Sequence, residues 1–380
     1  MGKRQSRLVL SLLAACALLA ACGGSPSSPS SGGNAGAAAA SDMGKKAQQV
    51  YDKFNGMRGE ERTKALVAAA EAEGALSIYT SNTDIDDVVD GFEDRYPKID
   101  VSVYRANSET ALQRLLQEQK ANFYGVDIFE TNAGELGIAN QNGLLADYTS
   151  ELRDKVRKEG QRDGWTASRF NVFVVGWNTK LVKPGAEPKS LEELADPKWK
   201  GKISMEVGDL DWFAAMYGYY QQHGKSDAEI KDLFGRLAAN AKIVKGHTVQ
   251  GELLSAGQFA VAVSAYSHTI DKAADKGAPV VWRPASGSGQ PVQPLVIRPN
   301  GVATIQTAKH PAAAALFVDY ELTDSQQIFE EAFRIGSVPT GKDPLAGLQT
   351  IQVPDADLLA NPKKWDGLYA EVVQKGQQVS

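Results

Sequence analysis

Two hydrophobic periods alternate along this chain, and they exchange regularly between residues 64 and 133. Lys64 to Glu73 is rich in Ala and Glu and stops at Gly74, which predicts a helix. Leu76 to Thr80 follows as a short strand. Ser81-Asn82-Thr83 then makes a turn in which Thr83 and Asp86 have capping-box spacing, and Ile85, Val88, Val89 and Phe92 recur at helical spacing. Ile99, Val101 and Val103 alternate as in a strand, and Asn107-Ser108 opens a helix carrying Leu112, Leu115 and Leu116. Val126 to Phe129 gives a third strand, running through Thr131-Asn132-Ala133 into another helix. Three such alternations predict a parallel α/β sheet.

Phe170 to Trp177 is a longer apolar run, expected as a crossing strand. Beyond it the alternation restarts. Lys202 to Met205, Ile243-Val244, Phe259 to Val263 and Val280 to Arg283 read as strands, and Asp211–Tyr220 and Tyr266–Lys276 as helices. Leu295 to Ile305 is strand material again, and Pro311 to Leu322 and Asp324 to Phe333 close as helices. Two α/β lobes are the economical reading. Ligands collect where strands hand over to helices in such sheets. Here those turns contain Ser81, Asn82 and Thr83, then Asn107 and Ser108, then Thr131 and Asn132, and finally Tyr266, Ser267 and His268. Helix N-termini there present free N–H groups. Ser, Thr and Asn are also ordinary N-caps, which explains any one turn by itself. Four together point to a site. The aromatic helix beginning Asp211-Trp212 is read in two ways, as a stacking surface for a planar ligand or as packing for the second lobe. The acidic run Asp84, Asp86, Asp87 is expected to complement the dipole of its helix.

Composition narrows the function. The 380 residues are 43% hydrophobic and 23% charged, a globular balance with room for two domains. Net charge is −5, and without the leader residues Lys3, Arg4 and Arg7 it is −8, which argues against nucleic acid as a partner. The two cysteines, Cys16 and Cys22, both precede the body, so neither a disulfide framework nor a Cys-based zinc cluster is expected. No nucleophile elbow, phosphate loop, dinucleotide fingerprint or His-Glu-x-x-His motif appears, and nothing argues for an enzyme. Of the four histidines, His223 and His310 are expected at the surface and His247 at a helix start; none has a partner His at metal-ligand spacing.

The N-terminus carries its own signal. Basic residues precede a 14-residue apolar run from Leu8 to Ala21, the layout of a secretory leader rather than a membrane span. Leu19-Ala20-Ala21-Cys22 resembles a bacterial lipobox; an earlier copy ends at Cys16 but leaves only a short apolar core. The expectation is a signal peptide over 1–21, lipidation at Cys22 and a Gly/Ser/Pro/Ala linker over 22–43. An ordinary cleaved signal with an incidental Cys is the competing reading.

Leu66-Val-Ala-Ala-Ala-Glu-Ala-Glu-Gly74 running into Ile78-Tyr79-Thr80-Ser81 resembles the start of the ferric-type bacterial extracellular solute-binding proteins. Gly176-Trp177-Asn178-Thr179-Lys180, Pro197-Lys198-Trp199-Lys200-Gly201-Lys202-Ile203, Lys276-Gly277-Ala278-Pro279 and Ser337-Val338-Pro339 are similar to later segments of that family, in order. The resemblance implies an α/β, two-lobed periplasmic-binding-protein fold of type II. Lobe 1 would comprise 44–170 and 290–380, and lobe 2 would comprise 171–289 around an interlobe cleft. It implies capture of a small-molecule solute and delivery to an ABC permease and its ATPase. The protein would be a non-catalytic monomer, without cofactor, held outside the bacterial membrane by its lipid. Iron-binding members offer a His in the first turn, a carboxylate in the third and a tandem Tyr pair. Here Thr83 and Asn132 stand at the first two places, and Tyr266 lies between Ala265 and Ser267. The reading therefore favours a small organic anion or phosphorylated compound, held by the four turns with Asp211 and Trp212. Iron(III) at Tyr266 and a sensor reusing the fold are the alternatives.

Overall fold

The computed structural model describes residues 32–285, 289–341 and 343–375. The leader, Cys22 and residues 22–31 of the expected linker lie outside the described residues. From Gly32 the chain is already helical. Helix α1 (Gly32–Asn55) takes in the rest of that linker, because alanine is the strongest helix former and Ala47, Tyr51 and Phe54 anchor the helix in the first-half core. Helix α2 (Gly59–Glu73) ends at Gly74 in the left-handed region. The first-half alternation follows as β1 (Ala75–Thr80), α3 (Ile85–Arg95), β2 (Asp100–Arg105), α4 (Ser108–Lys120), β3 (Ile128–Asn132) and α5 (Ala133–Gln141).

A short β4 (Gln161–Arg162) precedes β5 (Trp165–Asn178), the crossing strand, buried along all 14 residues. The second half contains α6 (Leu191–Leu194), β6 (Ile203–Glu206), α7 (Leu210–Gln222), α8 (Asp227–Asn240), β7 (Ala241–Val244), α9 (His247–Ser255), β8 (Val261–Tyr266), α10 (Ser267–Asp275) and β9 (Val280–Val281). Strand β10 (Leu295–Thr304), fully buried, returns beside β5. The C-terminal part holds α11 (Pro311–Glu321), α12 (Ser325–Glu331), β11 (Ile335–Gly336), β12 (Thr350–Gln352), α13 (Asp355–Ala360) and α14 (Pro362–Tyr369).

The main path of the sheet is β2-β1-β3-β10-β5-β8-β6-β7. Within each half the neighbours are parallel, while β10 and β5 join the halves by antiparallel pairing. One apolar cluster fills each half, and a third, containing Phe170, Val172, Val174 and Ile297, runs along the crossing strands. The C-terminal tail departs from the lobe boundaries expected above. Val353, Trp365, Tyr369 and Val373 are buried in the second-half cluster, where Trp365 and Tyr369 meet Phe213 edge-on. Sequence distance hid this return, since aromatic rings go where a matching apolar face is open. No helix among the described residues is long and apolar enough to cross a membrane.

Candidate functional site

The strand register brings two sheet edges face to face. Asn132, the last residue of β3, pairs with Asn300, which pairs with Arg169 of β5. Tyr266, the last residue of β8, pairs with Phe173. β3 and β8 run in opposite directions, so their C-terminal ends approach each other over four residues of β5, about 13 Å at the rise of a strand. Every turn singled out from the sequence lies on one edge or the other.

On the first edge the polar turns form a belt. Ser81 Oγ and Thr131 Oγ1 are 3.0 Å apart, Asn132 Nδ2 donates to Ser108 Oγ at 2.7 Å, and Asn300 Nδ2 donates to Asn132 Oδ1 at 2.7 Å. Asn82 closes the turn by accepting from the Asp84 N–H, and its Nδ2 is buried without a partner. Asn107 does not join them: it is exposed, and its side chain accepts the Thr110 N–H as a plain N-cap. The capping box expected at Thr83 is also absent. Asp84 is the N-cap residue, and Thr83 Oγ1 accepts from Arg334 Nη2 at 2.7 Å. Asp84 is no mere dipole partner either. It is buried and pairs with Lys272 of α10 and with Arg334, tying the two halves together. Burial opposes its ionisation, but the charges of Arg334 and Lys272 outweigh it and hold the carboxyl below its ordinary range.

On the second edge the groups are ionisable and aromatic. A β-bulge shapes it: Ser264 takes φ 58°, and β8 gains one residue against Val174–Gly176 of β5. A bulge of this kind re-aims the side chains that follow it, here Tyr266. The Tyr266 ring stacks on His247 (centroids 3.6 Å apart) and on His268 (5.4 Å), and meets Phe173 edge-on. Its hydroxyl accepts from Arg298 Nη2, while Arg298 Nη1 donates to Asp211. Burial raises the Tyr266 hydroxyl pKa well above its ordinary value, the Arg298 charge opposing. Glu135, half-buried at the start of α5, is pushed up by burial to about 7 despite the Arg298 charge. His268 is driven well below its usual range by burial and by the charges of Arg334 and Lys272, so it is neutral at pH 7. Ser267 is buried and lines a cavity of about 210 Å³ with Asp271, Trp282, Arg283, Arg334 and Thr340.

Trp212 is the clearest correction. It lies 4% exposed against Phe234 in the second-half core, so the packing reading of its helix holds and it offers no face to a ligand. Arg298 and His247 are the residues of the second edge that sequence reasoning missed. A single Arg in the apolar run Leu295–Thr304 was the signal for the first. His247 was read only as a helix start, yet its Nε2 lies 2.9 Å from Asp209 Oδ1. His310, expected at the surface, is half-buried and bonds Asp127 at 2.8 Å.

With this geometry in place, residues 111–361 match the sequence model described as bacterial extracellular solute-binding protein. The chain belongs to the bacterial extracellular solute-binding proteins. This solute-binding protein is 26% identical over 277 residues to iron uptake protein A2 of Synechocystis sp., a match covering 68% of the chain and 76% of that protein. Among solved structures it resembles AfuA of Actinobacillus pleuropneumoniae with fructose-6-phosphate bound, at TM-score 0.65 and 21% identity, covering 80% of this chain and 99% of AfuA. It resembles iron-bound HitA of Pseudomonas aeruginosa equally, at TM-score 0.65 and 19% identity, covering 78% and 99%. The fold is thus the two-lobed α/β architecture of periplasmic binding proteins. The family binds solutes for ABC importers and is not a catalytic one.

Proposed function

We propose that this solute-binding protein captures a small organic anion, a carboxylate or a phosphate or phosphonate ester, between its two edges for an ABC importer. The carrying observation is Arg298. Its guanidinium is buried on a crossing strand between the edges, is matched by one carboxylate, and keeps Nε without a partner. The half-buried hydroxyls of Ser81 and Ser108 and the amide of Asn132 add uncharged hydrogen bonds, and the α3, α5 and α10 N-termini add N–H dipoles. Tyr266, partly exposed, supplies apolar ring surface for the organic part. Attachment through Cys22 places this capture just outside the bacterial membrane, as a monomer docking on a permease and its ATPase.

Iron(III) is the second reading, favoured by the iron uptake relative. Against it, Tyr266 is the one tyrosine at the junction among the described residues, burial keeps its hydroxyl protonated, and its oxygen already accepts from a guanidinium. Thr83 is taken by Arg334, and no carboxylate stands at Asn132. Ferric iron wants several anionic oxygens, and a resident arginine opposes it. Native mass spectrometry of the full chain in mild detergent, before and after denaturation, separates the readings. Loss of an organic mass of a few hundred daltons supports the anion. A shift matching iron, with or without a small anion, overturns it in favour of the metal.

A further inference from the structure

We propose that Glu206, Asp209 and His247 form a binding site for a divalent transition-metal ion at the base of the second edge. The three residues come from two turns, β6–α7 and β7–α9. Glu206 is fixed by accepting backbone N–H groups from Gly208 and, at 2.8 Å, from Gly246. Gly246 lies at φ 94°, a backbone shape that costs glycine little, and this turn delivers His247 to Asp209. One ligand atom from each of the three residues lies within 4.8 Å of the others. Coordination bonds of about 2.1 Å span about 4.2 Å at most, so a contraction of roughly half an ångström would close the set on an ion.

Charge is the independent argument. Glu206 is 7% exposed and Asp209 1%, and among the described residues neither has an ion pair with Lys or Arg. Arg298, the cation of the neighbouring cluster, pairs with Asp211 instead. A cation between two buried carboxylates at this separation would relieve their mutual repulsion. Asp209 Oδ2 and His247 Nδ1 are moreover buried without partners, which leaves both free for an ion. A divalent ion balances both carboxylates and uses the free oxygen of Asp209. Two carboxylate oxygens with one imidazole suit Zn²⁺, Mn²⁺ or Co²⁺ rather than a soft ion, and three protein donors leave positions open to water. The site is distinct from the anion grip, which it meets where His247 stacks on Tyr266 and packs edge-on against Phe173.

The test is calorimetric titration of the full chain, stripped with chelator, using ZnCl2 and MnCl2, together with the visible spectrum of added Co²⁺. One equivalent should bind, with a Co²⁺ d–d band. His247→Ala and Glu206→Gln should each weaken binding at least ~10-fold, as loss of a ligand does, while His223→Ala, at an exposed helix end, should leave it unchanged. Far-UV circular dichroism reports whether each variant folds, and either of the two ligand variants alone decides the matter. No saturable heat and no Co²⁺ band overturns the proposal, as does binding that a folded His247→Ala or Glu206→Gln variant retains. Neither outcome bears on the organic anion, which mass spectrometry reads separately.

Discussion

The two edges that meet across the crossing strands are built from different chemistry. The first presents neutral hydroxyls and amides, Ser81, Ser108, Thr131 and Asn132, bonded to one another. The second presents Asp211, Tyr266, His247 and His268, with Arg298 bridging two of them. Neutral donors at helix N-termini adapt to an anion at little desolvation cost, whereas buried charges must be matched closely. The first edge is therefore suited to hydrogen-bond a solute, and the second to discriminate among solutes. The two are linked through Asp84, which belongs to the first edge by sequence and pairs with Lys272 on the second.

That division is broken most severely at Arg298. Arg298→Ala should lower solute affinity by at least ~100-fold, as expected when a charge-assisted contact is lost, and should destabilise the fold by about 3 kcal/mol by leaving Asp211 unmatched. Titration with the solute released on denaturation and a thermal melt measure the two effects. Arg298→Lys should recover part of the stability and little of the affinity, because a point charge cannot bridge Tyr266 and Asp211 together. Asp84→Asn comes next. Losing ion-paired hydrogen bonds to Arg334 and Lys272 should cost about 2 kcal/mol, and small-angle scattering should show a larger radius of gyration. The pH dependence follows from the depressed carboxyl. Its stabilisation is complete above the unfolded-state value near ~4 and is lost as pH falls through the lower folded value. The melting temperatures of wild type and Asp84→Asn should therefore converge on acidification.

The first edge was legible because its signals are local. Strands β1, β2 and β3 and the helices after them fall within two or three residues of the hydrophobic pattern, and their turns declare themselves as Ser, Thr or Asn between two periods. The second edge was not, since its contacts join residues far apart in the chain. Asp209 and His247 meet through parallel pairing of β6 with β7, and Arg298 reaches Tyr266 across the sheet. The bulge at Ser264 that re-aims Tyr266 leaves no mark in a hydrophobic pattern. Two misses were nearer to hand. Helix α8 carries a complete capping box, Ser226 with Glu229, that was passed over, and the alanines after Gly32 were read as linker although alanine favours helix.

Two finer substitutions sharpen the comparison. Tyr266→Phe keeps the ring against His247 and removes the hydroxyl that Arg298 donates to, so affinity should fall about 10-fold, the worth of one buried charge-assisted bond. Asn107→Ala should have the smallest effect of all on binding. Asn107 lies in the same kind of turn as Asn132, two strands further out, and by sequence the two are equivalent. In the structure Asn132 bonds Ser108 and Asn300 at the junction of the halves, while Asn107 is exposed and accepts one N–H of its own helix. Losing that cap should cost about 1 kcal/mol in a thermal melt and leave solute affinity unchanged. An affinity loss matching that of Asn132→Ala would mean that the solute reaches beyond Ser108 to the exposed side of the β2–α4 turn. Unchanged affinity for Asn107→Ala beside a loss for Asn132→Ala would confine recognition to the bonded belt, and proximity to Arg298 rather than turn chemistry would then define the site.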